Sequence, residues 1–337
     1  MVCNISSSDN VETMKNTVAM VIGITGFIGN AFVIFVFLCN QAIFNTITNL
    51  LILNQSTVDL AVSVAFLLGL LQKVFGIQLP QDSEIFSIVV CKLWTSEYLL
   101  WSLYVCSSMN LVAISLERFC ATCHSIKHLN YFTRRNTKVI MAVVWIFGFI
   151  YECHWPWRTE YRYDVTTSRH VCRQRDGSGT AAVAALAGIT FFCVEYVVPV
   201  AVMSFSYWRI ITMLKKRGKQ REFFRRAKHS VTKTLLIVSV MFVICWGPAE
   251  IEYLLYNLGV EICFGGPIHQ LGITLVQLNA CLNPFIYSLQ YKQFKSILKR
   301  TFCPSCLGLE KGSSSEHGPT TNSNTKNVSQ PYSHNNV

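Results

Sequence analysis

Seven long apolar segments constrain the fold of this 337-residue chain more than any other feature of its sequence. A helix needs about 20 apolar residues to cross the roughly 30 Å hydrocarbon layer of a bilayer, and each segment is close to or above that length. Only 14% of the residues are charged, whereas soluble domains have about 25%. The sequence therefore predicts an all-α membrane protein with a seven-transmembrane helix bundle. The segments lie near Val18–Leu38, Ile47–Leu71, Leu93–Ser115, Val139–Trp155, Ala181–Met213, Leu235–Leu258 and Ile268–Leu289.

Basic residues predict how the bundle is oriented. They concentrate in the second and fifth connections and after the seventh segment, on one side of the membrane, which the positive-inside rule makes cytoplasmic. Because the number of spans is odd, the amino terminus is then extracellular, and we expect a multi-pass protein of the plasma membrane. The net charge of +11 reflects this bias, so we expect no nucleic-acid partner. The basic residues include Lys127, Arg134, Arg135, Lys138, Lys215, Lys216, Arg225, Arg226, Lys292 and Lys299.

One external connection, Trp157–Thr180, departs from the positive-inside rule. Its acidic residues offset its arginines only in part. The connection is therefore either a functional surface or a deviation that the other connections outweigh. Its arginines are Arg158, Arg162, Arg169, Arg173 and Arg175.

Polarity divides the chain into four parts. We expect an extracellular tail over 1–17, the helix bundle over 18–290, a short amphipathic helix on the membrane surface over 291–303, and a disordered cytoplasmic tail over 304–337. Cys303 and Cys306 follow the basic amphipathic run and suit S-palmitoylation, which would add contacts with membrane lipids.

External cysteines and one asparagine suit covalent modification. Cys91 and Cys172 both lie outside, where a disulfide can persist, and would tie the third helix to the long external connection. Cys3 and Cys263 are also external and could form a second disulfide. Asn4-Ile5-Ser6 is a glycosylation acceptor on the external side.

Polar residues inside the predicted spans are candidates for function. A charge near the bilayer centre costs about 2.5 to 3.5 kcal/mol even on a mild scale, so such residues are usually paired or line a wet cavity. One interpretation is that four of them hold a small cation, a sodium ion, together with water. The alternative is a hydrogen-bonded polar cluster between helices. The four residues are Asp59, Ser107, Asn279 and Asn283.

Three prolines lie within predicted spans. Pro199, Pro248 and Pro284 each remove a backbone hydrogen bond and can kink their helix. Kinked helices are places where a bundle can bend.

Taken in order, these features resemble the rhodopsin-like class of G-protein-coupled receptors, and the resemblance runs up to Cys306. Jointly the motifs are specific. They are Gly29-Asn30, Asp59, Cys91, Glu117-Arg118-Phe119, Trp145, Pro199, Tyr207, Phe242, Cys245-Trp246-Gly247-Pro248 and Asn283-Pro284-Phe285-Ile286-Tyr287.

The resemblance implies a role for each motif and excludes an enzyme. Arg118 would be held by Glu117 at rest and would meet a heterotrimeric G protein on activation. Arrestin and receptor kinases would act on the Ser/Thr-rich tail. Cys91 and Cys172 would form the family's external disulfide, and the four polar residues would form its sodium site, with no other cofactor expected. The remaining switch residues would be Tyr207, Phe242, Trp246, Pro248, Asn283, Pro284 and Tyr287.

Three residues depart from the family pattern. Phe119 replaces a tyrosine, Ser125 replaces a common proline, and Lys228 at the foot of the sixth span cannot be an acidic partner for Arg118. We therefore expect the resting lock on Arg118 to depend on Glu117 alone.

The ligand is predicted from residues in the outer half of the bundle. Gln277 stands where a photoreceptor carries its retinal-binding lysine, and Leu100 where aminergic receptors carry an aspartate, so both classes are disfavoured. Four acids lie at this depth with no lysine or arginine beside them: Glu97, Glu152, Glu195 and Glu250. We expect them to receive a cationic group of a peptide. The rival interpretation is that some of these carboxyls are protonated and bond to neighbouring helices.

The short third cytoplasmic connection is similar to that of galanin, somatostatin and allatostatin receptors. The alternatives are an amine or lipid receptor of the same class, or a seven-span transporter, although the chain lacks an inverted repeat. The predicted ligand-binding residues are Leu100, Trp101, Tyr104, Glu195, Trp246, Glu250, Tyr253, His269, Ile273 and Gln277.

The spacing from Cys91 to Arg118 leaves one geometric question open. It is two residues longer than the family usually has, which corresponds to about 3 Å of rise and roughly 200° of rotation. Either Cys91 lies in the loop above the third helix, or Thr95-Ser96-Glu97 forms a bulge.

Overall fold

The structure is a computed structural model that describes residues 9–40, 45–77, 83–164, 169–175, 180–216, 222–263, 266–290 and 294–297. The predicted modification sites at Asn4, Cys303 and Cys306 and the predicted tail over 304–337 lie outside these residues. Cys3 also lies outside them, and Cys263 takes part in a disulfide.

Helices dominate the described part of the chain. They are α1 (Asp9–Cys39), α2 (Ile47–Val74), α3 (Glu84–Val90), α4 (Tyr98–Cys123), α5 (Ser125–Tyr131), α6 (Arg134–Tyr151), α7 (His154–Arg158), α8 (Ala181–Phe192), α9 (Val198–Lys216), α10 (Glu222–Asn257) and α11 (Pro267–Gln290). Two π-helical segments, Cys91–Thr95 and Cys193–Val197, follow α3 and α8. The spans, numbered first to seventh, are α1, α2, α3–α4, α6–α7, α8–α9, α10 and α11. The predicted seven-helix bundle is confirmed.

The apolar surface of the bundle identifies it as a membrane domain. In the described residues, six spans are long and apolar enough to cross a bilayer. The seventh span has 24 residues but is less apolar because it contains Gln277, Asn279 and Asn283. Val143 and Ile150 of the fourth span are 57% and 66% exposed, and lipid would cover such a surface.

A β-hairpin marks one end of the bundle. Strands β1 (Thr159–Asp164) and β2 (Arg169–Gln174) pair antiparallel with Tyr161 opposite Cys172, so the connection that we expected to be a plain loop contains a small sheet. The predicted disulfide between Cys172 and Cys91 is present, with Cα atoms 5.6 Å apart. We call this side of the bundle the hairpin end and the opposite side the Arg118 end.

The first helix begins earlier than predicted, and part of the predicted surface helix is described. The first span begins at Asp9, so part of the predicted tail over 1–17 is helical, and Glu12 reaches Lys73 of the second span at 3.7 Å. Of the predicted surface helix over 291–303, the structure describes the helical residues 294–297. Phe294 is fully buried, with its ring centroid 6.1 Å from that of Phe37. This helix is therefore packed against the first span.

A bulge accommodates the long spacing between Cys91 and Arg118. Cys91 lies in the π-helical segment of the third span, and Glu97 adopts a left-handed backbone conformation with φ of 61°. The helix restarts at once, because the Trp101 amide donates to the Glu97 carbonyl at 3.0 Å. The second interpretation is therefore the correct one, and the non-glycine residue at positive φ costs of order 1–3 kcal/mol.

A glycine allows the third and fourth spans to pack closely, which generates the first prediction. A Cβ at Gly148 would overlap Cys106 Sγ and lie 2.7 Å from the Ser102 carbonyl oxygen. We expect Gly148→Ala to destabilise the bundle by about 1–3 kcal/mol through overpacking and to lower the unfolding temperature of the purified protein. The control is Gly69→Ala, where no atom lies within 4 Å. Equal stability of the two variants would contradict the prediction.

Candidate functional site

A cavity of about 1280 Å³ opens at the hairpin end and is lined by residues from all seven spans. The predicted ligand-binding residues that line it are Leu100, Trp101, Tyr104, Glu195, Glu250, Tyr253, His269, Ile273 and Gln277. Trp246 is the exception. It is 1% exposed and lies against Tyr104, with ring centroids 6.1 Å apart. The Tyr104 hydroxyl donates to Gln277 Oε1 at 2.6 Å, so these two side chains connect the third and seventh spans at the cavity wall.

Three buried glutamates from three spans line the cavity. Glu152, Glu195 and Glu250 are 2%, 7% and 5% exposed, and they lie within electrostatic range of one another. Within the described residues, no lysine or arginine forms an ion pair with them; the His154 imidazole lies with Nδ1 3.9 Å from Glu152 Oε2. Since ionised carboxylates repel one another at close range, this cluster favours the entry of a cation.

One polar atom of this cluster lacks a partner in the part of the chain that the structure describes. Glu152 Oε1 is buried without a hydrogen bond, while the Tyr151 hydroxyl lies next to Glu195. A buried polar atom without a partner costs about 1–3 kcal/mol. A ligand that donates hydrogen bonds here would recover that free energy.

Aromatic side chains form the walls around the acids. Trp101 stacks on Trp155 with ring centroids 6.4 Å apart and an interplanar angle of 16°. Phe191 meets the ring of Tyr253 at 6.0 Å. Glu97, the fourth predicted acid, is exposed at the cavity and accepts a hydrogen bond from Trp101 Nε1 at 3.2 Å. Aromatic faces attract cations, so the walls and the acids favour the same ligand charge.

An ion pair at the cavity that the sequence analysis missed joins the sixth and seventh spans. His269 Nδ1 lies 3.2 Å from Glu252 Oε2, and both residues line the cavity. Glu252 is two residues from Glu250 and so points roughly 200° away around the helix. Glu252 was not predicted to bind ligand, because the predicted ligand site lies on the helix face that carries Glu250.

The Arg118 end contains a buried acid with several partners. Glu117 is fully buried and binds Arg118 Nη2 at 2.5 Å. Thr48 Oγ1 lies 3.3 and 3.2 Å from its two carboxylate oxygens, and His128 Nε2 lies 2.8 Å from Oε1. Among the described residues Arg118 pairs with Glu117, and Thr48 and His128 are partners of that carboxylate; the dependence of the lock on Glu117 stays a prediction. Helix α5 follows the third span directly and positions His128 beside Glu117. The side chain of Lys228 lies outside the described residues.

The predicted switch residues form a packed series below the cavity. The ring centroids of Trp246 and Phe242 lie 5.4 Å apart, and both side chains are buried. The Ser115 hydroxyl lies 3.4 Å from the Tyr207 hydroxyl, while the buried Tyr287 hydroxyl has no partner. Pro248 and Pro284 lie inside α10 and α11. The series connects the cavity floor to the Arg118 end through side-chain contacts.

A hydrogen-bonded network surrounds Asp59 in the middle of the bundle. Ser107 Oγ donates to Asp59 Oδ1 at 2.7 Å, and Asn283 Nδ2 donates to Oδ2 at 2.7 Å. Gln55, which the sequence analysis missed, donates to both carboxylate oxygens at 3.1 and 3.2 Å and to Ser107 at 2.6 Å. Asn279 does not join, and its Oδ1 has no hydrogen-bond partner.

The Gln55 amide nitrogen donates to both Asp59 and Ser107, which agrees with the interpretation as a polar cluster between helices. The sodium site, for which oxygen ligands are required, stays a prediction.

The fold and the two ends of the bundle define a class of protein. A seven-span bundle with a ligand-sized cavity at one end and a paired arginine at the other is a membrane receptor rather than an enzyme. Over residues 29–287 the chain matches the family described as 7 transmembrane receptor (rhodopsin family), and it belongs to that family.

Comparison with individual proteins agrees with this assignment. The chain is 28% identical to galanin receptor 2b of Danio rerio, over 91% of this chain and 79% of that protein. It is 26% identical to the allatostatin-A receptor of Bombyx mori, over 90% and 85% of the two chains. It is 25% identical to a melanopsin-like protein of Danio rerio, over 87% and 59%.

The position of Gln55 generates the second prediction. We expect the unfolding temperature of the wild-type protein to stay the same when sodium chloride is replaced by choline chloride at equal ionic strength. We expect Gln55→Ala, which removes the amide from Asp59 and Ser107, to be stabilised by sodium. Stabilisation of the wild-type protein by sodium would contradict the polar-cluster interpretation and favour a cation site.

Proposed function

We propose that this receptor binds an extracellular peptide with a cationic group in the cavity at the hairpin end and activates a heterotrimeric G protein at the Arg118 end. The observation that carries the proposal is the cluster of Glu152, Glu195 and Glu250, which lines the cavity without a lysine or arginine partner in the described residues. A buried carboxylate is stable only when it is neutralised or paired. A cationic ligand group supplies that pairing.

The distribution of basic residues supports the orientation. The connections at the Arg118 end carry Arg134, Arg135 and Lys138, which the positive-inside rule places in the cytoplasm. The amino terminus and the hairpin end then lie outside the cell, at the plasma membrane.

Cavity size and the comparisons support a peptide over a small amine or lipid. Typical small-molecule pockets have about 300–1,000 Å³, and this cavity has about 1280 Å³. Two of the compared proteins are named for galanin and allatostatin-A. The likeness to a melanopsin-like protein does not favour light reception, because Gln277 occupies the place where the resemblance requires a lysine. A transporter of the same span number remains the alternative that a flux assay would identify.

The packed aromatic series suggests how the two ends communicate. A ligand group that presses on Tyr104 would shift Trp246 and then Phe242, because tightly packed cores transmit displacement. Movement of the sixth span at its proline would open the Arg118 end. Arg118 would then release Glu117 and bind the G protein. Arrestin and receptor kinases are proposed partners of the Ser/Thr-rich tail.

The acid cluster generates the third prediction. Glu195→Gln and Glu250→Gln keep the side-chain size but remove the charge, and we expect each to lower the potency of basic peptides by about tenfold or more. The measurement is G-protein recruitment in cells exposed to a synthetic library of basic peptides. Glu160→Gln is the control, because Glu160 lies on the hairpin and pairs with Arg175. Unchanged potency in both variants at normal surface expression would refute a cation site.

The lock at the Arg118 end generates the fourth prediction. We expect Glu117→Gln and His128→Phe to raise ligand-free G-protein signalling, since each removes a hydrogen bond that holds the resting arrangement. His124→Phe is the matched control, because His124 lies in the same connection and packs on Phe119. If His128→Phe signals like His124→Phe, His128 has no part in the lock.

A further inference from the structure

The cavity has buried acids at depth and cationic residues near its mouth, where the exposed Glu97 also lies. The acids lie deep: Glu250 is about two helical turns from the end of α10, and Glu195 lies in the middle of the fifth span. Three cationic residues line the same cavity close to its mouth. They are Lys15 near the start of α1, Lys73 in the last turn of α2, and Arg158 at the end of α7.

Arg158 is a mouth cation that is free to bind a ligand. It is half-buried at the cavity, and in the part of the chain that the structure describes its guanidinium takes part in no ion pair. Lys73 instead pairs with Glu12. Lys15 also forms no ion pair among the described residues, but Arg158 lies on the side of the acid cluster, since Tyr253 is within electrostatic range of Arg158, Glu195 and Glu152.

Arg158 and the acid cluster belong to one part of the cavity. Arg158 lies within electrostatic range of His154 and of Tyr253. Tyr253 is one helical turn from Glu250 toward the hairpin end. A ligand that extends from Glu250 past Tyr253 toward the hairpin end can therefore place its outer part beside Arg158.

We propose that the ligand is a dipolar peptide whose cationic group lies among Glu152, Glu195 and Glu250 and whose carboxylate is bound at the mouth by Arg158. The inference rests on the proposed function, because it requires a cation at the acid cluster. A guanidinium binds a carboxylate with two parallel hydrogen bonds, whereas it repels a ligand that is cationic throughout. The carboxylate is either an acidic side chain or a free carboxyl terminus.

The test uses the purified full-length receptor and defined hexapeptide pools as probes. Every pool is acetylated and has uncharged amino acids at the four central positions, and the first four pools are also amidated. The first position is arginine or glutamine and the last is aspartate or asparagine, which gives four pools. A fifth pool has arginine first, asparagine last and a free carboxyl terminus. The measurement is the rise in unfolding temperature at equal peptide concentration.

The wild-type receptor is compared with three variants. Arg158→Gln removes the cation at the mouth, and Arg158→Lys restores its charge without the bidentate geometry. Arg162→Gln is the matched control, because Arg162 is an exposed arginine of the hairpin that follows α7, and it does not line the cavity.

The inference predicts a specific pattern of stabilisation. In the wild-type receptor and in Arg162→Gln, a pool with arginine and a carboxylate raises the unfolding temperature more than the arginine-asparagine amide pool. In Arg158→Gln this difference disappears, and in Arg158→Lys part of it returns. The fifth pool shows whether a carboxyl terminus serves as well as an aspartate side chain.

Two failures are distinguishable. If the arginine pools stabilise the wild-type receptor more than the glutamine pools but a carboxylate adds nothing, the dipolar ligand is wrong while the proposed function stands. The same conclusion follows if the carboxylate effect persists in Arg158→Gln. If arginine gives no advantage over glutamine, or if no pool stabilises the receptor, both proposals are overturned.

Discussion

The cost of a charge without a partner inside the bilayer governs most of this structure. Asp59 avoids this cost through hydrogen bonds with three side chains from three spans. Glu117 avoids it through contacts with an arginine, a threonine and a histidine. These two acids hold helices together that have no hydrophobic driving force to associate in lipid. The glutamates of the cavity differ, because their partners in the described residues are few. The same constraint that stabilises the bundle at two sites thus leaves a third site receptive to a ligand.

The third span links all three sites, and its irregular outer part follows from that role. Its disulfide at Cys91 fixes the hairpin, Ser107 reaches Asp59, and Arg118 lies at the opposite end. A continuous α-helix from Cys91 would rotate the cavity-facing residues away, since two extra residues turn the helix by about 200°. The π-helical segment and the left-handed Glu97 absorb that excess. Trp101 and Tyr104 can therefore face the cavity.

The sequence predicted what depends on local pattern and missed what depends on contacts between distant spans. Apolar length located the spans, and the periodicity of α10 placed Glu250 above Trp246. The contacts of Gln55 with Ser107 and of His128 with Glu117 were missed because these partners lie 52 and 11 residues away. The contact of Gln55 with Asp59 follows the i, i+4 spacing on one helix and was within reach of the sequence. The strands Thr159–Asp164 and Arg169–Gln174 were not predicted, because this connection was interpreted by the charge of its arginines. Its tyrosines and valine are nevertheless typical of strands. Gln55 is uncharged, so it was not among the polar residues that the sequence analysis selected.

Three arginines of the connection Trp157–Thr180, for which two interpretations were open, differ in what they contact. Arg175 pairs with Glu160 and stabilises the hairpin, and Arg162 is exposed on the strand opposite Val171. Arg158 instead lines the cavity. Part of the connection is therefore an exposed surface, and Arg158 and Gln174 are residues of the connection that line the cavity. Arg158 would then attract a carboxylate of the ligand, while Glu152, Glu195 and Glu250 would attract its cationic group. The cavity would therefore select ligands by the order of their charges as well as by their net charge.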